Sequence, residues 1–179
     1  MDTQIEQAGA DYAPLTPDQL FARLDEMGIA HQTHRHDPVF TVEEARALRG
    51  ILPGAHVKNL FLRDKKKRPW LIVCEELQQV SLKPLSKHLG AGNFSFGSAD
   101  RLMEVLGVEP GSVTPLALIN AKDRHAVNVV LDKSLSDSET VNCHPLVNTM
   151  TTALSLPDLL SFIDACGFEP RTVDFSELD

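Results

Sequence analysis

The chain has 179 residues, 42% hydrophobic and 23% charged, which suits one domain with its own core and excludes a disordered or fibrous protein. Three cysteines with no CxxC spacing, Cys74, Cys143 and Cys166, exclude a disulfide scaffold and read as free thiols of a reducing compartment. As a whole-chain figure, the formal net charge of -8 speaks against a nucleic-acid partner, because phosphate affinity comes from Lys and Arg.

The opening, up to residue 15, is polar and acidic and reads as a loose tail ahead of a single domain over 16–179. Thr16-Pro17 followed by Leu20, Phe21 and Leu24 predicts a capped amphipathic helix closed by Gly28. His31 to His36 is a short polar strand. Thr41-Val42-Glu43-Glu44 matches a capping box, opening a second helix expected to run to about Arg49 and stop at Gly50. Ala55 to Arg63 and Trp70 to Glu75 flank the charged run 63–68 as a β-hairpin, and Gln79 to Leu82 is a candidate third strand. Helices follow over Pro84 to Leu89 and, behind Ser98, Ala99 to Leu106, ended by Gly90 and Gly107, with the glycine-rich stretch 90–97 read as a turn. Strands are predicted over Leu116 to Asn120, Ala126 to Asp132 and around Val141 to Thr151, then a last helix over Pro157 to Cys166. Helices and strands interleave without a regular βαβ period, so the fold class is mixed α/β, of the α+β kind.

No apolar run approaches the roughly 18 residues of a spanning helix, and the start lacks a basic region followed by an apolar one, so a cytoplasmic protein with no membrane partner is expected. The charge is unevenly spread. Residues 1–30 carry six acids against one base and residues 134–179 eight against one, whereas residues 31–133 carry fifteen bases against eleven acids. The basic centre is densest at Arg63-Asp64-Lys65-Lys66-Lys67-Arg68, which reads either as a solvated turn guarding strand edges or as a phosphate contact.

His31, His34, His36 and Asp37 raise a metal site, since His34 and His36 share a strand face; no second ligand group stands at a recognisable spacing, and partly packed histidines are the favoured reading. No GxSxG elbow is present. Cys143 beside His144 suggests a thiol and base, but strand neighbours point to opposite faces. Three features stand out together. Lys58 and Asn59 interrupt the apolar strand His56-Val57-Lys58-Asn59-Leu60-Phe61-Leu62, with Lys58 on the face of Leu60 and Leu62. Gly111-Ser112-Val113-Thr114-Pro115 combines a residue that permits close backbone approach with one that fixes shape. Cys143-His144-Pro145-Leu146 precedes Asn148 and a threonine run.

In their order, the VKNLFL strand, the charged hairpin, SL-K, the GSADRLMEVLG helix, VEPGSVTPLAL and CHPL resemble the YbaK/prolyl-tRNA editing family over roughly His31 to Phe168. Within it they are most similar to free-standing Ala-tRNA(Pro) deacylases. The resemblance implies a compact domain with a mixed, mostly antiparallel sheet flanked by helices, and metal-independent hydrolysis of mischarged aminoacyl-tRNA without a cofactor. It also implies the acceptor end of tRNA(Pro) as partner, prolyl-tRNA synthetase as a candidate partner, and no DNA. By position it assigns Lys58 to the terminal adenosine or its phosphate, Asn59 beside it, Gly111 and Pro115 to a GxxxP loop, and His144 to the aminoacyl pocket. Ser112 and Thr114 of that loop, with Phe40, Val57, Ser81 and Leu146 as candidate pocket walls, complete the expected substrate contacts. Cysteine or serine as the amino acid removed, or a non-catalytic tRNA-binding or synthetase-binding module, remain alternatives.

The implied bond is an ester to a ribose hydroxyl, activated enough to be cleaved by positioned water and preorganised donors without a triad. A small rigid pocket can refuse proline by size, a discrimination that binding alone cannot supply against a smaller side chain.

Overall fold

The structure is a computed structural model that describes residues 13–39 and 41–178. Helix α1 (Pro17–Glu26) and helix α2 (Val42–Ile51) both begin in capping boxes. Thr16 and Thr41 accept from the amides of Gln19 and Glu44, whose side chains return the bond to the cap amides. Strand β1 (Gln32–Arg35) lies between them. The long β2 (Ala55–Arg63) and β3 (Pro69–Glu75) form the predicted hairpin, followed by α3 (Leu82–Leu89), a two-residue β4 (Ser95–Phe96) and α4 (Ala99–Leu106). A 3-10 turn (Pro115–Asn120), β5 (Asn128–Asp132), β6 (Thr140–Cys143), β7 (Met150–Ser155), α5 (Leu156–Ala165) and β8 (Arg171–Val173) complete the order.

Several boundaries differ from expectation, each for a local reason. Gly50 does not stop α2; the helix ends at Leu52, whose extended ψ of 114° is what a residue preceding proline prefers. The segment 116–120 is not a strand, because Pro115 sits at a helical first position and Thr114 caps it by accepting from Leu116 N. Residues 79–81 form no strand, and α3 starts at Leu82, before Pro84. The segment 141–151 is two strands joined through Leu146, which has a φ of 71°. The turn 90–97 contains β4, and β8 had no sequence signal strong enough to predict it.

The eight strands form one sheet in the order β1-β7-β6-β2-β3-β5-β8, with β4 paired to β2. Four pairings are antiparallel (β1 with β7, β2 with β3, β2 with β4, β6 with β7) and three parallel, so the sheet is mixed and mostly antiparallel. Alternation divides its side chains between two cores. Phe61, Leu71, Val73, Val129, Leu131 and Val141 pack on one face with Leu20 and Leu24 of α1, Leu102 and Leu106 of α4, and Phe162 of α5. On the other face, Leu62, Trp70, Ile72, Cys74 and Val130 pack with Leu85 and Leu89 of α3 and with Phe175.

Two local devices fix the long hairpin. Within the basic run 63–68, Asp64 is buried, and its carboxylate accepts from Lys66 N, Arg68 N, Arg68 Nε at 2.7 Å and Trp70 Nε1 at 3.1 Å. The run is therefore wound around an internal anion as well as being a charged turn. At the other end of β2, Gly54 has a φ of +99°, and a Cβ there would stand 2.6 Å from the Thr140 carbonyl oxygen. Gly54→Ala combines backbone strain with a clash against β6 and should cost about 3 kcal/mol, read as a lowered urea midpoint at unchanged m.

Candidate active site

The centre of the sheet carries an interruption that the alternation pattern alone does not reveal. One edge of β2 is shared by two strands: β6 pairs in parallel with Ala55 and His56, and β4 pairs with Leu62 and Arg63. Residues 57–61 belong to neither ladder; Phe61 O is taken by Gly97 N at 3.0 Å, and among the described residues no strand pairs with 57–60 on that side. Lys58 and Asn59 lie in this gap.

On the face opposite the α1/α4/α5 core, a cavity of about 190 Å³ opens between the sheet and α2. It is lined by His56 and Val57 of β2, Glu76 after β3, Asn142 and His144 at the end of β6, Thr151 of β7, and Ala45 and Leu48 of α2. That space equals about six water volumes, fit for a small aminoacyl group. His56 stands opposite Asn142 in the parallel register, so His144 is the next position on the same face, just past the end of β6.

His144 is half-buried, and its Nδ1 meets the Met150 carbonyl oxygen at 3.2 Å. A carbonyl only accepts, so the ring proton sits on Nδ1 and Nε2 keeps a lone pair. Burial holds the ring pKa below the usual histidine value, helped by His36; the Met150 bond and the Glu76 charge only partly oppose it. At neutral pH the ring is therefore an uncharged acceptor. Lys58 is half-buried, and its Nζ donates to the Gln78 carbonyl, which holds the ammonium over the connection leaving β3. Its cross-strand neighbour Cys74 is pushed up to about 11 by burial, against the pull of the Lys58 charge.

Asn59 projects to the opposite face from Lys58, and its Oδ1 is buried without a hydrogen-bond partner. Gly111 is exposed at a φ of +89°, with a Cβ position 3.6 Å from Asn148 Nδ2, so the GxxxP loop abuts the loop carrying His144. Ser112, Thr114 and Pro115 are buried, and Thr114 caps the 3-10 turn; it is the main chain at Gly111 that the loop offers outward. Val57 lines the cavity. Leu146 is packed in the α1/α4/α5 core, Ser81 is an exposed N-cap of α3 away from the cavity, and Phe40 lies outside the described residues.

Cys143 points away from His144 into the core, and burial pushes its thiol up to about 12, which removes it as a nucleophile. His34 and His36 do share a strand face, stacked with centroids 6.2 Å apart. His36 Nδ1 donates to Asp37 O at 2.7 Å, and its Nε2 meets the Thr151 hydroxyl at 2.8 Å. His31 stacks on Phe21 and pairs with Asp25. Among the described residues, no group of three or more His, Cys, Asp or Glu is placed to hold a metal ion.

Sequence reasoning missed Asn142, Glu76 and Thr151. Asn142 is buried, and its Nδ2 donates to Pro53 O at 3.0 Å and Ala55 O at 3.3 Å, tying β6 to the start of β2. Period-two alternation back from His144 was the available signal for it; Glu76 is visible only once the hairpin register sets it opposite His56.

A small cavity at a break in a mixed sheet thus carries a neutral histidine in its wall, with a tethered lysine on the same sheet face two residues beyond the lining His56. The chain belongs to the aminoacyl-tRNA editing domain family, whose model matches residues 36–162. It is 38% identical over 149 residues to the prolyl-tRNA editing protein ProX of Acetoanaerobium sticklandii, a match spanning 83% of this chain and 90% of that protein. It is also 38% identical over 162 residues to prolyl-tRNA synthetase associated domain-containing protein 1 of Mus musculus, spanning 88% and 95% of the two chains. A solved structure described as a candidate trans-editing enzyme for prolyl tRNA synthetase superposes with a TM-score of 0.69 at 16% identity, over 93% of this chain and 98% of its own, and shares the fold. Among the described residues, no helix is long and apolar enough to cross a membrane.

Proposed function

We infer that the protein is a cytoplasmic trans-editing deacylase that hydrolyses the ester of mischarged Ala-tRNA(Pro). The observation that carries this reading is the 190 Å³ cavity with neutral His144 in its wall, on a chain of the editing family. In the reaction, water adds to the ester carbonyl, the C–O bond to the terminal ribose breaks, and the ribose oxygen takes up a proton, giving free alanine and uncharged tRNA. His144 Nε2, with its lone pair free while Nδ1 donates to Met150, orients the water or the neighbouring ribose hydroxyl. Lys58 balances the developing oxyanion or the adjacent phosphate, and the Gly111 backbone closes over the substrate. The half-buried Glu76 in the cavity wall complements the α-ammonium of the amino acid. The tRNA is assigned from the names of the relatives, and alanine from the small size of the cavity and from the resemblance to free-standing Ala-tRNA(Pro) deacylases.

The test is a panel of tRNA(Pro) charged with alanine, cysteine, serine or proline. Alanine should be released at least about tenfold faster than proline, at a rate unchanged by a chelator. Persistence of every ester would leave a binding module instead.

A further inference from the structure

A groove at the far end of β2 lies outside the His144 cavity, and the mechanism above does not use it. It measures about 460 Å³ and is lined by Phe61 and Arg63 at the end of β2, Lys67 of the hairpin turn, Phe96 of β4, and Ser98 and Arg101 at the start of α4. Phe96 is 64% exposed, an unusual position for a large aromatic ring in a strand. One wall is closely packed: a Cβ on Gly97, next to Phe96, would stand 2.5 Å from the Phe61 ring. Arg63 Nε donates to Ser95 Oγ at 3.1 Å, and Arg101 forms an exposed ion pair with Glu104 at 3.0 Å. Three cations around an exposed ring match a nucleic-acid backbone with one base to stack, since surface cations supply phosphate affinity and aromatic faces hold bases.

Position decides which part of the nucleic acid. β4 and β6 occupy the same edge of β2, so the groove and the gap at 57–60 lie along one edge. Arg63 is five positions beyond Lys58 on β2, roughly 17 Å at about 3.4 Å per residue. A stacked strand advances about 3.4 Å per nucleotide, so roughly five nucleotides separate the two sites. We propose that this groove docks the tRNA where its unpaired 3′ end runs into the acceptor stem: Arg63, Lys67 and Arg101 hold stem phosphates and Phe96 stacks on the base at the junction. The proposal rests on the deacylase reading for the orientation of the ligand and adds a second contact region to it.

The experiment compares two substrates, an alanyl minihelix containing acceptor stem and 3′ end, and alanylated CCA trinucleotide, with the wild-type protein, the double variant Lys67→Glu/Arg101→Glu and, separately, Phe96→Ala. Each variant should raise KM for the minihelix about tenfold with kcat unchanged, and leave the trinucleotide unaffected. The double variant should also lower the salt slope of binding by about 2, one for each phosphate contact removed. Equal losses on both substrates, or an unaltered minihelix KM, would overturn the groove. Binding of the uncharged minihelix, followed by fluorescence anisotropy, separates the two readings. If the wild type cleaves neither ester, the deacylase assignment falls. The groove then stands on weaker minihelix binding by the variants and falls if binding is unchanged.

Discussion

Lys58→Ala should lower the single-turnover rate of alanyl-tRNA deacylation by about 10²- to 10³-fold, the cost of removing one preorganised charged donor from a developing oxyanion. The structure gives this side chain little other employment. Its ammonium donates to one backbone carbonyl, that of Gln78, and the side chain lies half-buried where the α3 core gives way to the His144 cavity. Circular dichroism and the melting temperature of the variant should stay near wild type, because no buried apolar surface is lost. Lys58→Arg should not restore the rate fully, since a planar guanidinium replaces a compact ammonium. Full activity in Lys58→Ala would take Lys58 out of the chemistry.

Asp64→Ala should destabilise the fold by about 3 kcal/mol, seen as a melting temperature lower by roughly 6 to 12 °C. The carboxylate accepts four hydrogen bonds in a buried position, and its removal strands Trp70 Nε1 and two backbone amides. Burial alone would raise this carboxyl. The Arg68 amide, Trp70 and the Arg68 guanidinium outweigh it and hold the pKa below the usual aspartate value of 3.8. A depressed folded pKa gives stability that is fully present above the unfolded value and lost as pH falls through the folded one. The wild type should therefore lose stability relative to Asp64→Ala only below about pH 4, and a gap between the two proteins that does not narrow as the pH falls through the acid range would rule out the ionised carboxylate as its source.

Local chemistry was readable from the sequence wherever one residue satisfies another a few positions away. Thr16, Thr41 and Ser98 announce their helices because a hydroxyl three residues before a free amide has one obvious partner. The run Leu116–Asn120 misleads because an apolar pentapeptide suits a buried strand or a buried 3-10 turn equally, and the choice is made by Thr114 and Pro115. At the site, Lys58 and His144 were legible as polar groups in apolar surroundings. Their neighbourhood was not, because the register that sets His56 against Asn142 joins segments 86 residues apart. The cavity wall from α2 is tertiary as well: Ala45 and Leu48 carry no mark that distinguishes them from an ordinary amphipathic helix. Asp64 was hidden by its company, one acid among five bases whose burial rests on the turn amides, the Arg68 guanidinium and the Trp70 indole together.

The sheet order also sets the sequence of events on the ribosome. Among the described residues β1 precedes every other strand, yet it pairs with β7 alone, with Gln32 waiting for Ala153, and the cavity edge of β2 waits for β6. The β2–β3 hairpin can close within a few residues of its own synthesis, whereas pairings that span about a hundred residues come slowly and late. A nascent chain that has not yet extruded β6 and β7 therefore holds Lys58 in a folded hairpin with nothing opposite it. The His144 cavity closes only once β6 and β7 have emerged.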